Sequence, residues 1–437
     1  MHTDIKNTKI VCDPLWGLIE ITDFLPMIDV APFQALGFKY QLGVTNFLFP
    51  SATHTRKQHS FGAFKRTQAL ADRWLHRGFI NKEDARLIAA YALWHDIGHG
   101  PFSHVVEEVT GELYGRNHDQ NGTLIIENLK DAVADADIDF GEFKKYFTRE
   151  NPLYRAVHDK NLGTEKLDYL ARDAYYTLGE VPGVEYLAYH TYVVDGNIVI
   201  DEKAIDQAKA IQEFYVKMYK NVYLRKNSAI AQRLVQKMTA ELLRVSPMSE
   251  DAFWALTDFG LLGLFETSQS DIVRMLYRRF INRQLPKTAI AIRPTEFAAI
   301  DKTVGKAQVL AGITGEQMER LLVAPNFSKP SQLETVEKEI ERIAGLPPQS
   351  VTVVPPTSIE RFVPQDIAIH VPGGKPAQLS DYFADHFQAL NEEGRSYVVM
   401  RVCTFEEHRV ALSNPAIAEK VIAYILTLAG NPPGAQA

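Results

Sequence analysis

ARLIAAYALWHDIGHGPFSH, residues 85–104, runs an apolar helix straight into three histidines and an aspartate. Ala85–Trp94 is apolar on nearly every face, the mark of a helix buried all round. His95 and Asp96 then stand at its end. A buried carboxylate is costly unless it is paired or holds a metal. Neighbouring side chains on a helix point about 100° apart, yet at a helix end two such groups can converge on one ion. Gly98 and Gly100-Pro101 stop the helix and turn the chain, which brings His99 and His104 back toward the same cavity. His118 follows shortly after, although the chain holds only 13 histidines in 437 residues. Structural histidines in a polar loop would explain an isolated His-Asp pair; they do not explain this cluster.

One ion needs more ligands than His95 and Asp96. His59, at the start of a helix in THTRKQHSFG, and Glu165, which opens the helix EKLDYLARD, are the candidates. Two imidazoles and two carboxylates suit Mn²⁺, Fe²⁺, Mg²⁺ or Co²⁺, with positions left for water or phosphate oxygens. They do not resemble a closed structural zinc site. Each residue alone has a plainer reading: His59 as a core histidine, Glu165 as a helix-start carboxylate favoured by the dipole. Spacing alone does not join them.

The composition is that of a globular protein, with 46% hydrophobic and 23% charged residues and a net charge of −7. This acidity offers no global attraction to nucleic acid or an anionic membrane, while a local basic funnel for phosphates stays open. Cys12 and Cys403 are the only cysteines, too few for a disulfide framework or a thiolate zinc site. The start, MHTDIKNTKIVCDPLW, lacks a signal-peptide apolar core. No run reaches the ~18–20 apolar residues of a transmembrane helix. These features predict a cytoplasmic protein without a membrane partner.

Residues 1–50 alternate apolar pieces with turn residues and predict short strands and helices packed on a larger body. From about residue 59 to 345 the helical period dominates. Phe61, Phe64, Leu70, Ala71 and Trp74 mark one amphipathic helix, ended by Arg77-Gly78. Asn81 with Asp84 is an N-cap pattern for the next. Further helices are expected near 122–137, 165–178, 203–244, 249–257, 269–283, 295–304, 315–322 and 331–344. In LPPQSVTVVPP (346–356) two proline pairs flank a β-branched run, which reads as a boundary. Strand-like DIAIHV (366–371) and SYVVMRVCTF (396–405) follow, with helices near 379–391 and 415–429. The closing GNPPGAQA reads as disordered. The expected fold is mainly α: a helical core with an N-terminal strand and helix extension over 1–345, and a small α+β C-terminal lobe over 346–437.

Together these pieces resemble the HD-domain phosphohydrolases. More narrowly, the chain is similar to the branch containing the SAM-and-HD-domain deoxynucleoside triphosphate triphosphohydrolases and their bacterial relatives. The resemblance is carried by DPLWGLIEI (13–21), IDVAPFQALGFKYQLG (28–43), FPSATHTRKQHSFG (49–62), HDIGHGPFSH (95–104) and EKLDYLARD (165–173). It covers about residues 10–285 and is weaker over the C-terminal lobe. It implies an HD-domain helical core and a divalent metal held by His59, His95, Asp96 and Glu165. It implies a catalytic His118 oriented by Glu107, with His99 on the reacting phosphate and His104 as general acid near the leaving oxygen. Arg56, Lys166 and Lys226 match phosphate-binding positions; Gln41, Leu42, Tyr169 and Asp173 match positions around the deoxyribose. The activity implied is cleavage of a dNTP to deoxynucleoside and inorganic triphosphate, in a homo-oligomer (dimer, tetramer or hexamer) that an allosteric nucleotide could activate. The i, i+4, i+8 spacing of Glu165, Tyr169 and Asp173 independently puts them on one helix face.

The chain departs from the pattern at several places. The family usually has Asp where this chain has Glu165 and Glu107. Arg-Phe-Glu-His becomes Arg56-Lys57-Gln58-His59, and Gln-Arg-Leu-Arg becomes Gln34-Ala35-Leu36-Gly37. Leu234 and Gln236 replace aromatic and histidine residues near the base. Two alternatives follow: an HD-type phosphatase or phosphodiesterase acting on another nucleotide, and a catalytically weakened nucleotide-binding sensor. The acidic composition argues against nucleic acid as a partner.

Overall fold

Leu87–Trp94 is buried without a break, so beyond its first turns the helix Lys82–Trp94 has no solvent face. Its start is fixed by a capping box: Asp84 N donates to Asn81 Oδ1 at 2.8 Å, and Asn81 N donates back to Asp84. Such a cap stabilises a helix by about 1 kcal/mol. At the other end Trp94 is fully buried, and its indole nitrogen donates to Met27 O at 2.8 Å, satisfying its one polar atom. The helix packs along Arg56–His76, which in turn carries Thr164–Thr177 on another face. The computed structural model describes residues 8–298, 309–361 and 363–430.

The N-terminal extension forms short elements, as its turn residues require. Ile10–Asp13 and Gly17–Glu20 make an antiparallel hairpin with Ile10 opposite Glu20. Ile19, Phe24, Met27 and Phe33 then pack into the same core as Trp74 and Trp94.

Several predicted helices are interrupted. The expected 122–137 helix is two, His118–Glu127 and Lys130–Asp135. The expected 203–244 helix runs as Ile205–Met218, widens into an i→i+5 turn over Tyr219–Tyr223, and restarts at Lys226–Val245. The break is local: Leu224 N donates to Tyr219 O at 2.8 Å, and Arg225 takes an extended backbone. Of the expected 295–304 helix, Thr295–Ala298 is helical and the remainder lies outside the described residues, as does the 431–437 end of GNPPGAQA.

A second core is built around a four-stranded sheet of order Val309–Ile313, Lys287–Pro294, Met400–Thr404, Val351–Val354. Its central strand Lys287–Pro294 is buried on both faces past Lys287; it falls between the expected helices 269–283 and 295–304, where no strand is expected. This sheet therefore starts well before the proline pairs at 346–356. Helices Pro330–Ala344 and Pro415–Gly430 pack on the same core. A third cluster, centred on Leu234, Phe253, Phe265 and Phe280, lies along the helix Lys226–Val245.

The chain between these strands does not stay in the lobe. Ala368–Ile369 pairs in parallel with Asn197–Ile200, joining a sheet of order Thr191–Val194, Asn197–Ile200, Ala368–Ile369, Ala377–Gln378. Ile367, Ile369 and Leu379 belong to the first core. The fold is mainly α, a helical body with a small α+β lobe. Among the described residues, no helix is long and apolar enough to cross a membrane.

Candidate active site

The helix Arg56–His76 presents His59, and the end of Lys82–Trp94 presents His95 and Asp96. All three are buried, and their ligand atoms lie within 4.8 Å of one another. The two imidazoles are aimed by their outer nitrogens. His59 Nδ1 donates to Asp168 Oδ2 at 2.7 Å, and His95 Nδ1 donates to Ala92 O at 2.7 Å. That leaves two Nε2 atoms facing each other at 3.1 Å, with Asp96 Oδ1 3.4 Å from that of His95. Two imidazole lone pairs and a carboxylate converging on one point form a donor set suited to a divalent cation. Burial lowers the pKa of His95, which favours the neutral, metal-binding form.

Behind His59 lies a second layer that sequence spacing does not reveal. Asp168 accepts from Arg172 Nε and Nη2, both at 3.0 Å, and from the indole of Trp16. Arg172 Nη1 donates to Asp13 Oδ2 at 2.9 Å. Asp13 in turn accepts Leu15 N and Trp16 N, closing the turn of DPLWG. The N-terminal motif is thus the outer anchor of His59. Burial alone would raise the Asp168 carboxyl, but Arg172 and His59 hold it well below the usual carboxylate range.

Glu165 stands apart from the trio. Its carboxylate is paired with His158 Nδ1, and although burial opposes ionisation, His158 brings its pKa down to about 2. It lines a cavity of about 330 Å³ with His158, Lys166 and Tyr169, to which Glu360, Arg361 and Gln365 also contribute.

The turn after Asp96 gathers the remaining histidines. Gly98 is needed there: a Cβ would meet His118 O at 2.1 Å and Gly122 N at 2.4 Å. His99 stacks on His118 with ring centroids 4.1 Å apart, and His104 meets both rings edge-on at 4.9 and 5.0 Å. Glu107 holds two of them, Oε1 accepting from His118 Nδ1 at 2.8 Å and Oε2 from His104 Nδ1 at 2.9 Å. Burial opposes both shifts, yet these bonds push Glu107 well below the carboxylate range and raise His118. His99 Nε2 lies 3.2 Å from Asp96 Oδ1, so the two histidine groups meet at Asp96.

The phosphate candidates are dispersed. Arg56 Nη1 donates to Asp96 Oδ2 and its Nε to Ser103 Oγ, both at 2.5 Å. Lys166 Nζ donates to Lys160 O and sits 3.6 Å above the Tyr215 ring; burial lowers its pKa to about 7. Lys226 lines a different pocket with Lys287, Thr288 and Arg409, away from Glu165 and Lys166. Around the expected sugar site, Tyr169 lies edge-on to His59, Leu42 packs on the first core, and the buried Oε1 of Gln41 has no hydrogen-bond partner. Asp173 accepts from His54 Nε2 at 2.8 Å and from Tyr223 Oη at 2.7 Å. The sequence reading missed His54, His158, Asp168 and Tyr223. Of these, His54 in THTR and Asp168 in EKLDYLARD lie within the quoted motifs. Leu234 is packed in the third core, and Gln236 bonds Val105 O and Glu108.

Residues 56–170 match the HD domain and residues 184–311 the HD associated region. A putative HD domain-containing protein of Acanthamoeba polyphaga mimivirus is 27% identical over 66% of this chain and 68% of that protein. The deoxynucleoside triphosphate triphosphohydrolase SAMHD1 homolog of Dictyostelium discoideum is 28% identical over 65% of this chain and 61% of that protein. Human deoxynucleoside triphosphate triphosphohydrolase SAMHD1 is 28% identical over 40% of this chain and 34% of its own length. The match thus spans from a third to two thirds of these relatives. A phosphohydrolase of Bacteroides thetaiotaomicron shares the fold, with a TM-score of 0.68 at 21% identity, over 91% of this chain and all of that one. With an HD domain, the associated region behind it and a buried histidine–aspartate group able to hold a metal, the chain is an HD-superfamily phosphohydrolase.

Proposed function

We propose that the protein is a metal-dependent dNTP triphosphohydrolase, cleaving a dNTP to deoxynucleoside and inorganic triphosphate. The observation that carries this reading is the meeting of two histidine groups at Asp96: His59 and His95 on one side, His99, His104 and His118 on the other. The first group can hold a cation; the second offers proton carriers a few ångströms away. Relatives named as dNTP triphosphohydrolases supply the substrate class.

His59, His95 and Asp96 would hold the ion, with Glu165 as a further carboxylate. When bound, a divalent ion supplies Lewis acidity at phosphorus and acidifies water; Mn²⁺, Fe²⁺, Mg²⁺ and Co²⁺ all suit the donors. Arg56 and Lys166 would neutralise the phosphates. Water attacks the α-phosphorus, the bond to the 5′-oxygen breaks, and His104 delivers the proton that lets the nucleoside leave as an alcohol. His118, whose pKa Glu107 raises against burial, offers a proton carrier beside His99. Gln41, Leu42, Tyr169 and Asp173 would embrace the deoxyribose. A cytoplasmic homo-oligomer with a nucleotide activator fits the same reading.

A second reading, hydrolysis of another nucleotide as phosphatase or phosphodiesterase, is favoured by one observation: Lys226 lines a pocket separate from the cavity of Lys166. Product analysis decides between them. Each dNTP is offered singly and mixed, across the four metals, with Asp96→Asn as control. Inorganic triphosphate with deoxynucleoside supports the first reading. Orthophosphate or a released diester partner without inorganic triphosphate supports the second. Turnover only in mixtures reveals an activating nucleotide.

A further inference from the structure

The loop that carries His99 to His104 has a backbone that its own sequence does not favour. Phe102 and Ser103, neither a glycine, both stand at φ 51°. A bulky residue such as Phe is a genuine outlier there. Such residues persist only where the surroundings over-determine them, and they cluster at functional sites.

The restraints come from elsewhere in the chain. Asp258, the first residue of the helix Asp258–Glu266, is fully buried. Its Oδ1 accepts Phe102 N at 2.6 Å and its Oδ2 accepts Tyr40 N at 2.8 Å. Lys39, also buried, donates Nζ to His99 O and, at 3.5 Å, to Trp254 O. The Trp254 ring lies on Gly100, where a Cβ would meet its Cε3 at 2.9 Å. The loop is therefore held at His99, Gly100 and Phe102 by three groups, none of them from the loop or its flanking helices. Burial pushes the Asp258 carboxyl up to about 6 and brings the Lys39 ammonium down to about 8, so both groups sit where hydration would otherwise favour their charges. Two of the three, Trp254 and Asp258, belong to the HD associated region.

We infer that Lys39, Trp254 and Asp258 are positioning residues of the hydrolase, and that the associated region shapes the catalytic loop from below. They touch the loop backbone only. What they set is the stacking of His99 on His118 and the place of Ser103, whose hydroxyl accepts from Arg56. A loop freed from them relaxes toward ordinary φ values and carries both contacts away.

The inference rests on the phosphohydrolase assignment, and on the dNTP reading only for the choice of assay. Asp258→Ala and Lys39→Met are purified in the full chain and checked by circular dichroism. Three quantities are then read: kcat and KM with the dNTP that the wild type turns over fastest, Mn²⁺ affinity, and the ring resonances of His99 and His118 by NMR. The expected result is a kcat lower by about ten- to a hundredfold, since small misplacements of reacting groups cost that much. KM and Mn²⁺ affinity stay within about threefold, and both ring resonances shift as the stack is lost; Asp258→Asn, which keeps one acceptor, retains more activity than Asp258→Ala. A folded variant with wild-type kcat and unmoved resonances overturns the inference, as does a kcat loss matched by an equal loss of Mn²⁺ affinity. If Asp258→Ala does not fold, Lys39→Met is judged by the same criteria. If the wild type hydrolyses no dNTP, the substrate reading fails on its own, and the resonances alone decide the inference: shifted in a folded variant supports it, unmoved rejects it.

Discussion

His59 gives its Nδ1 proton to Asp168, 2.7 Å away, and this one bond decides which of its nitrogens faces His95. A carboxylate in that role fixes the tautomer and raises the basicity of the ligand nitrogen. Asp168→Asn should therefore weaken Mn²⁺ binding by about 10–100-fold although Asp168 itself faces away from the trio. Calorimetric titration with Mn²⁺ reads the effect. Affinity equal to wild type would show that the His59 orientation does not depend on Asp168.

Glu165→Gln tests the proposed fourth ligand. If Glu165 reaches the ion, the amide should lower Mn²⁺ affinity by roughly tenfold or more, on the scale of losing one ligand charge. His158→Asn, which removes the partner Glu165 has in this structure, should not lower it. A Glu165→Gln protein that binds Mn²⁺ like wild type removes Glu165 from the ligand set.

The Glu107–His118 pair predicts a pH response with a defined sign. His118 is raised, so its contribution to stability is present below its ordinary pKa and is lost as pH rises through the raised value. Glu107 is depressed, so its contribution is present above its ordinary pKa and is lost as pH falls. Glu107→Gln removes the charge that raises His118. The His118 titration should move to lower pH, taking the alkaline limb of kcat with it. An unmoved titration of the His118 ring by NMR would contradict the assignment.

Tyr223→Phe should loosen Asp173 while leaving its bond from His54 in place. A hydrogen bond to a charged group contributes about 1.5–3 kcal/mol. If Asp173 holds the 3′-hydroxyl, KM for a dNTP should rise by roughly tenfold, and the preference over the 3′-deoxy analogue should shrink. Equal effects on both substrates would place Asp173 outside the sugar site.

The amino-acid sequence carries the helical body and the His95–Asp96 loop because both are local: an apolar helix, a capping box at Asn81, a glycine turn. The second layer is not local. Asp168 reads as one more polar residue on EKLDYLARD, and its meaning comes from His59, 109 positions away. Lys39 and Asp258 are ordinary charges in sequence, and only folding buries them against one loop. Lys287–Pro294 was hidden for a different reason: a short strand buried on both faces shows no apolar–polar alternation to mark it inside a helical region. Lys226 shows the reverse case, a residue whose motif suggests the phosphates and which the structure places in another pocket.

The path of the chain has a further consequence. It leaves the helical body for the four-stranded sheet at Lys287, returns to pair Ile369 with Ile200, and leaves again at Met400. On the return, Glu360, Arg361 and Gln365 wall the cavity beside Lys166. A lobe threaded in this way cannot be gained, lost or traded as a module by a single recombination event. Any exchange would carry off part of the cavity wall, so body and lobe are constrained to descend together.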